Sequence, residues 1–396
     1  MLSKLQNTAK DFSISTITAG LVTNLVGFAS SAILIYQAAL VAGATPAQAS
    51  SWLGVVCVSI GLLTAITSYY YKMPTLFSWS TAGAALLITS LQGVSLAEAT
   101  GAFIFSAFLI FLCGASGYFE KLIKHVPVSI ASGMLAGVLL RFCLDVFVSM
   151  KTQFILATSM FIIYVLFRRI SARYSVLMAL ITGFAVAWFQ NLMHFENLTV
   201  NLSYPQFTMP QFTFSTLLSV GLPLFIVTMT SQNLTGMTIL RAFGYTRAPI
   251  SRLIALSGIV NLIAAPFGGY AINLSAVTAT ICMGPEAHPD PERRYTGGIT
   301  SGVFYVIIGL FAGFVSSLFA AFPKELVAAL AGLALIGAVG QSLASALEKD
   351  SEREAAFITF ATTASGVTLF GIGSAFWGLI TGALVTVILK WKRRPA

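Results

Sequence analysis

The sequence predicts an all-α integral membrane protein of 14 transmembrane segments, arranged as a 7+7 inverted repeat. Three observations carry that prediction: the scarcity of charge, the spacing of the apolar segments and the placement of the few cations. Charged residues make up 9% of the 396 positions and apolar ones 57%, against roughly 25% charge in an ordinary soluble domain. A soluble body of this size still needs charge to cover its exterior, so most of this chain has lipid as its solvent. The formal net charge of +9 comes from only 22 Lys and Arg. They are too sparse for a nucleic-acid surface, and their positions bear on topology instead.

Windows of about 19 residues, broken at charges, prolines and polar clusters, give apolar segments. In the first half they fall near 14–41, 51–71, 75–92, 97–118, 127–149, 153–167 and 174–193. In the second half they fall near 213–239, 250–267, 271–283, 295–321, 324–346, 355–371 and 374–391. The segments at 75–92 and 271–283 are the weakest. Lys4, Lys10 and Asp11 precede the first run, which is too long for the apolar core of a cleaved signal and reads as a span. With the N-terminus in the cytoplasm, 19 of the 22 cations fall on the cytoplasmic side, Lys151 and Lys324 fall outside, and Arg141 lies within a span. A miscounted span would invert every later loop and destroy this bias, so the even total places both termini in the cytoplasm.

The stretch from Asn191 to Phe212 has no Lys or Arg, holds Pro205 and Pro210, and alternates polar with apolar around Asn201-Leu-Ser-Tyr. It reads as an external linker with a short strand, joining a first repeat (1–195) to a second (213–396) through residues 196–212. Seven spans is an odd number, so two similar halves must lie in opposite orientations. Pro74 leads into Ser80-Thr-Ala-Gly-Ala-Ala and Pro266 into Ser275-Ala-Val-Thr-Ala-Thr, 192 residues apart; Pro127 and Pro323, 196 apart, precede Ala136-Gly-Val-Leu-Leu and Ala331-Gly-Leu-Ala-Leu.

Catalytic motifs do not occur. Cys57, Cys113, Cys143 and Cys282 sit singly in apolar segments, the three histidines form no ligand pattern, and neither a Gly-Lys dipeptide nor a G-x-S-x-G turn is present. An enzyme, a metal centre, a cofactor and an ATP-driven pump are therefore not expected.

Matching short segments begun by proline and rich in small residues point to a transporter's binding site. Here they are the third and tenth segments, each read as a short extended piece followed by a half-helix starting near Ser80 and Ser275. Opposed half-helix N-termini near the midplane would favour an anion; the same prolines also suit kinked helices packed through small residues. Gln232 and Asn233, adjacent amides in an apolar span, need partners, and Ser30 and Ser31 either reach the site or bond back to a carbonyl. Arg141 and Asp145 are four apart, share a helix face and can pair, either structurally or as a gate ion pair. No Asp or Glu falls at the expected midplane, which favours an anionic substrate over one carried by a dedicated acid.

Five stretches then resemble a known family: Gly27-Phe-Ala-Ser-Ser-Ala, Ser78-Trp-Ser-Thr-Ala-Gly-Ala-Ala-Leu-Leu, Val227-Thr-Met-Thr-Ser-Gln-Asn, Pro285-Glu-Ala-His-Pro-Asp and Gly371-Ile-Gly-Ser-Ala-Phe-Trp-Gly-Leu-Ile. Together, in order, they resemble the benzoate:proton symporter (BenE) family of bacterial inner-membrane proteins, which is similar to the uracil-permease-type nucleobase symporters. The resemblance implies a core domain (spans 1–4 and 8–11), a gate domain (spans 5–7 and 12–14), elevator-like alternating access and a homodimer. It implies an aromatic carboxylate and a proton as the cargo, with a nucleobase or other small anion, or a channel on the same fold, as the alternative. Carried over by position, Ser80, Thr81 and Ala82 form one half-helix N-terminus and Asn273, Leu274 and Ser275 the other, with Ser31, Gln232 and Asn233 beside them. Trp79, Phe77, Phe267 and Tyr270 are candidates for aromatic walls. Two positions depart from the family pattern: Ala82 stands in place of a proline, and Thr235-Gly236 in place of Pro-Gly.

Overall fold

The computed structural model describes residues 10–117, 128–195, 198, 200–276 and 278–391, with the side chains of Ser30, Lys390 and Trp391 outside that set. Pro127, His125 and the cations Lys4, Lys121, Lys124, Lys392, Arg393 and Arg394 also lie outside the described residues.

Local sequence explains where the early helices begin. Helix α1 (Ile14–Val41) starts in a capping box between Ser13 and Thr16, α2 (Pro46–Tyr71) in one between Thr45 and Gln48 with Pro46 in the first turn, and α4 (Leu96–Ala115) in one between Ser95 and Glu98. Each box satisfies two N–H groups that a helix start leaves bare. Between α2 and α4 lie strand β1 (Phe77–Trp79) and the ten-residue α3 (Thr81–Ser90). The first half closes with α5 (Val128–Thr152), α6 (Phe154–Ile170) and α7 (Ser175–Phe189).

The second half opens with α8 (Phe214–Ala242), which widens to π-helix over Leu217–Gly221 and again over Thr228–Asn233. Pro223 explains the first widening, because it has no N–H for the carbonyl four residues back and its ring crowds that turn. Helix α9 (Ile250–Ala264) leads to strand β2 (Ile272–Leu274). There follow α10 (Thr280–Met283), α11 (Tyr295–Leu310), α12 (Ala312–Ala321), α13 (Lys324–Leu347), α14 (Arg353–Ala364) and α15 (Ser374–Trp391).

Every predicted apolar segment contains one of these elements. Among the described residues, however, seven helices are long and apolar enough to cross a membrane, and two bent pairs raise the number to nine. The pairs are Ile14–Ala29 with Ser31–Val41, bent by 41°, and Pro291–Leu310 with Ala312–Ala321, bent by 65°; the predicted single span at 295–321 is thus broken at Phe311. The half-helix expected from Ser275 is a single turn from Thr280 to Met283. Its sequence explains the shortfall: Ser275 and Thr278 tie their hydroxyls together at 3.0 Å, β-branched residues follow, and Gly284-Pro285 stops the turn.

The helices pack in pairs: α2 on α11, α4 on α9, α5 on α13 and α14, α6 on α7, and α14 on α15. Small residues permit the closest of these crossings. A Cβ added to Gly61 of α2 would stand 2.5 Å from the Gly302 carbonyl oxygen of α11, and the reverse contact is equally short.

The linker carries no strand among its described residues. It runs instead as an extended tether, with Ser203 N–H donating to the Leu310 carbonyl, Thr208 N–H to Pro266 and Gln211 N–H to Ala97. Its alternation is satisfied by hydrogen bonds to three separate elements rather than by a partner strand.

Candidate substrate site

The two proline-led segments meet. Strands β1 and β2 pair antiparallel, with Phe77 opposite Leu274, Ser78 opposite Asn273 and Trp79 opposite Ile272. Ser80 N–H donates to the Ala271 carbonyl at 3.0 Å and Ser275 N–H to the Leu76 carbonyl at 2.9 Å, which extends the ladder at both ends. Irregular backbone in lipid must satisfy its own polar groups. This ladder does so, with two buried asparagines completing it. Asn261 of α9 donates to the Ile272 carbonyl and accepts from Ile272 N–H, both at 2.8 Å. Asn233, in the π-helical turn of α8, accepts from Leu274 N–H at 3.0 Å while its amide N–H reaches the Met229 sulfur. Gly236, one turn further on, lets α8 cross β2, because a Cβ there would meet the Leu274 side chain at 2.7 Å.

Helix α3 begins directly after β1. The Ser80 hydroxyl accepts from Gly83 N–H at 2.9 Å, so the unspent amides of the N-terminus are those of Thr81 and Ala82. Ala82 through Leu87 are buried, whereas Thr81 is half-exposed and opens this end of the helix. Above it, the Ser31 hydroxyl of α1 accepts from Trp79 Nε1–H at 2.7 Å and from the Thr81 hydroxyl at 3.1 Å. It also donates to the Gly27 carbonyl at 3.3 Å. With these contacts Ser31 holds Trp79 and Thr81 in place rather than presenting a free hydroxyl. The Trp79 ring stands edge-on to Phe28 (6.1 Å between centroids) and to Tyr305 of α11 (5.7 Å).

The structure therefore brings Ser31, Trp79, Ser80, Thr81 and Ala82 together around the α3 N-terminus, and places Asn233, Asn273, Leu274 and Ser275 on the adjoining β2 side. Asn273 donates to the Ala271 carbonyl at 2.7 Å, and its side-chain oxygen is buried without a partner. Gln232 is half-buried and makes no hydrogen bond among the described residues. The aromatic candidates separate: Tyr270 packs on Trp52 and Phe103, Phe267 on Phe207 of the linker, and Phe77 is buried in the core. Trp79 alone of the four stands at the Ser31–Thr81 contact. The Arg141–Asp145 pair does not form: Arg141 is exposed, Asp145 half-buried, and no ion pair joins them among the described residues. Four-residue spacing puts two side chains on one face, but an exposed arginine at that position is free to turn outward.

Sequence reasoning missed Phe28, Tyr305 and Asn261. Asn261 carried the same signal as Asn233, an amide within an apolar span, and was legible in principle. The electrostatics are simple. Arg294 is the only buried charged side chain among the described residues, and it serves the Pro285–Asp290 loop by donating to the carbonyls of Met283, His288 and Pro289. Among the described residues, no buried carboxylate or histidine stands near α3 to repel or neutralise an anion.

The model of one family, the benzoate membrane transport protein family BenE, matches residues 10–388. The chain belongs to the BenE family. It is 45% identical over 375 residues to the inner membrane protein YdcO of Escherichia coli (strain K12), covering 95% of this chain and 96% of that one. It is 40% identical over 389 residues to a benzoate membrane transport protein of Acinetobacter baylyi (strain ATCC 33305 / BD413 / ADP1), covering 98% of each. This BenE member is thus a membrane transport protein and not an enzyme. Among solved structures, that of SLC26A9 matches with a TM-score of 0.66 at 14% identity, over 96% of this chain and 66% of that one. The transmembrane domain of the cyanobacterial bicarbonate transporter BicA matches with a TM-score of 0.56 at 14% identity, over 95% and 96% of the two chains. The BenE chain therefore shares its fold with SLC26A9 and BicA.

Proposed function

We propose that this BenE protein is a secondary active transporter of the bacterial inner membrane that imports benzoate or a similar aromatic carboxylate together with a proton. The observation that carries the reading is the α3 N-terminus: two unspent amides at Thr81 and Ala82, opened at Thr81 and set beside the Trp79–Ser31–Thr81 unit, with no buried carboxylate nearby among the described residues. An aromatic acid has a carboxyl pKa of about 4 and arrives as an anion. Stripping its water costs several kcal/mol. A partly buried helix N-terminus returns up to ~2 kcal/mol through its dipole, and each charge-assisted hydrogen bond roughly 1.5–3 kcal/mol, so two amides offset that cost. The ring then packs against Trp79. With no buried Asp, Glu or His among the described residues, the proton in this reading travels with the ligand's carboxyl group or through the amides around Gln232.

The same reading takes the fourteen predicted segments as spans in two inverted repeats, with both termini cytoplasmic and kinship to the uracil-permease-type symporters. The helix pairing supports it, because adding seven to each span exchanges the α2–α11 pair with α9–α4 and the α6–α7 pair with α14–α15, and maps α5–α13 onto itself. Spans 1–4 and 8–11 then form a core that carries the site and slides elevator-like against a gate of spans 5–7 and 12–14, through which two copies dimerise. Uptake of labelled benzoate into proteoliposomes tests the function. An inward proton gradient should drive concentrative, saturable uptake, whereas concentrative uptake driven by sodium alone contradicts proton coupling.

A further inference from the structure

Tyr305 stands at this site, and the proposed function leaves its chemistry unused. Its side chain is 3% exposed, yet its hydroxyl makes no hydrogen bond among the described residues. The hydroxyl oxygen is not among the fully buried unpaired side-chain atoms, so it keeps an accessible face on which a ligand group can be bound. Its surroundings show where. The ring stands edge-on to Trp79, 5.7 Å between centroids, and the hydroxyl oxygen lies 3.1 Å from the position a Cβ on Gly27 would take, with the Thr278 methyl 3.7 Å from the same point. Gly27 thus leaves a notch into which the hydroxyl points.

Gly27 and Ser31 are four apart on α1 and share a face, and the Ser31 hydroxyl reaches back to the Gly27 carbonyl. The Tyr305 hydroxyl therefore stands about one helical turn, roughly 5 Å, from the Ser31–Thr81 contact. Trp79 touches both ends, its indole N–H on Ser31 and its ring on Tyr305. One turn is about the width of a benzene ring. A ligand whose carboxylate sits on the α3 amides and whose ring lies along Trp79 brings its far edge to Tyr305.

We infer that Tyr305 determines specificity by hydrogen-bonding a polar substituent on the ring edge away from the carboxylate, so that this chain prefers a hydroxybenzoate to benzoate itself. The inference rests on the aromatic-carboxylate reading above. A site that hydrogen-bonds a ligand hydroxyl discriminates against the analogue that lacks it, because the protein group then loses its partner.

Calorimetric titration of the purified full-length protein with benzoate, 3-hydroxybenzoate and 4-hydroxybenzoate tests this. The native protein should bind one of the hydroxybenzoates at least about tenfold more tightly than benzoate. Tyr305→Phe, in folded protein that still binds benzoate, should bring that ratio to within about twofold. Gly27→Ala, which crowds the hydroxyl, serves as the second variant and should shrink the ratio without removing the phenol. Benzoate binding with no preference for either hydroxybenzoate in the native protein, or an undiminished preference in folded Tyr305→Phe, overturns the inference and leaves the aromatic-carboxylate reading standing. Failure of all three acids to bind the native protein overturns both.

Discussion

The segments led by Pro74 and Pro266 are counterparts in sequence, yet they build different things. Both supply a three-residue strand, and the strands pair with each other. After β1, an Ala- and Leu-rich run with a serine cap gives ten residues of helix with accessible amides at its start. After β2, a serine–threonine turn and β-branched residues give one turn of helix four residues long, too short to build an appreciable dipole. The second segment contributes a clamp instead: Asn261 and Asn233 hold its backbone in place against β1. In the proposed function the site is lopsided: the first segment offers its amides to the anion and the second fixes the geometry.

The largest effect that sharpens this contrast is a fixed negative charge at either end. Thr81→Asp should abolish benzoate binding, a loss of more than about 100-fold, through repulsion at the α3 amides, while Ser275→Asp should cost less than about tenfold. Equal losses at the two positions, measured by titration of folded variants, would break the asymmetry. The clamp predicts a change in stability instead. Asn261→Leu leaves the Ile272 N–H and carbonyl both buried and unpaired, at about 1–3 kcal/mol each, so thermal unfolding of the detergent-solubilised protein should shift clearly downward. An unchanged Tm would show that the strand pair does not need its asparagine. Ser31→Ala is the mildest test: Trp79 and Thr81 lose their common acceptor, and benzoate affinity should fall by roughly five- to tenfold, about 1–1.4 kcal/mol. Retention of native affinity in this variant would remove Ser31 as the residue that sets the pocket.

Much of this was legible in the sequence because lipid imposes simple rules. Scarce charge and segment length located every element from α1 to α15, and the match of two proline-led segments rich in small residues singled both out before their pairing was known. The length of α10 was not legible from the proline spacing alone; it depended on local competition between side-chain turns and helix around Ser275 and Thr278. Nor was the partnering of Trp79 by Phe28 and Tyr305 readable, since an aromatic in an apolar span carries no mark of which neighbour it will face. The Arg141–Asp145 expectation failed for a related reason: spacing along a helix says which face is shared but not whether that face is dry enough to force a pair.

The most direct test of a carboxylate held by helix amides is the affinity of the native protein for benzoate against benzamide, measured in one titration series at pH 7. In the proposed site the two ligands share the ring contact with Trp79 and differ in charge at the group placed against Thr81 and Ala82. Benzamide should bind at least about tenfold more weakly, corresponding to ~1.4 kcal/mol, and equal affinity for the acid and the amide would contradict the placement of the carboxylate at the α3 N-terminus.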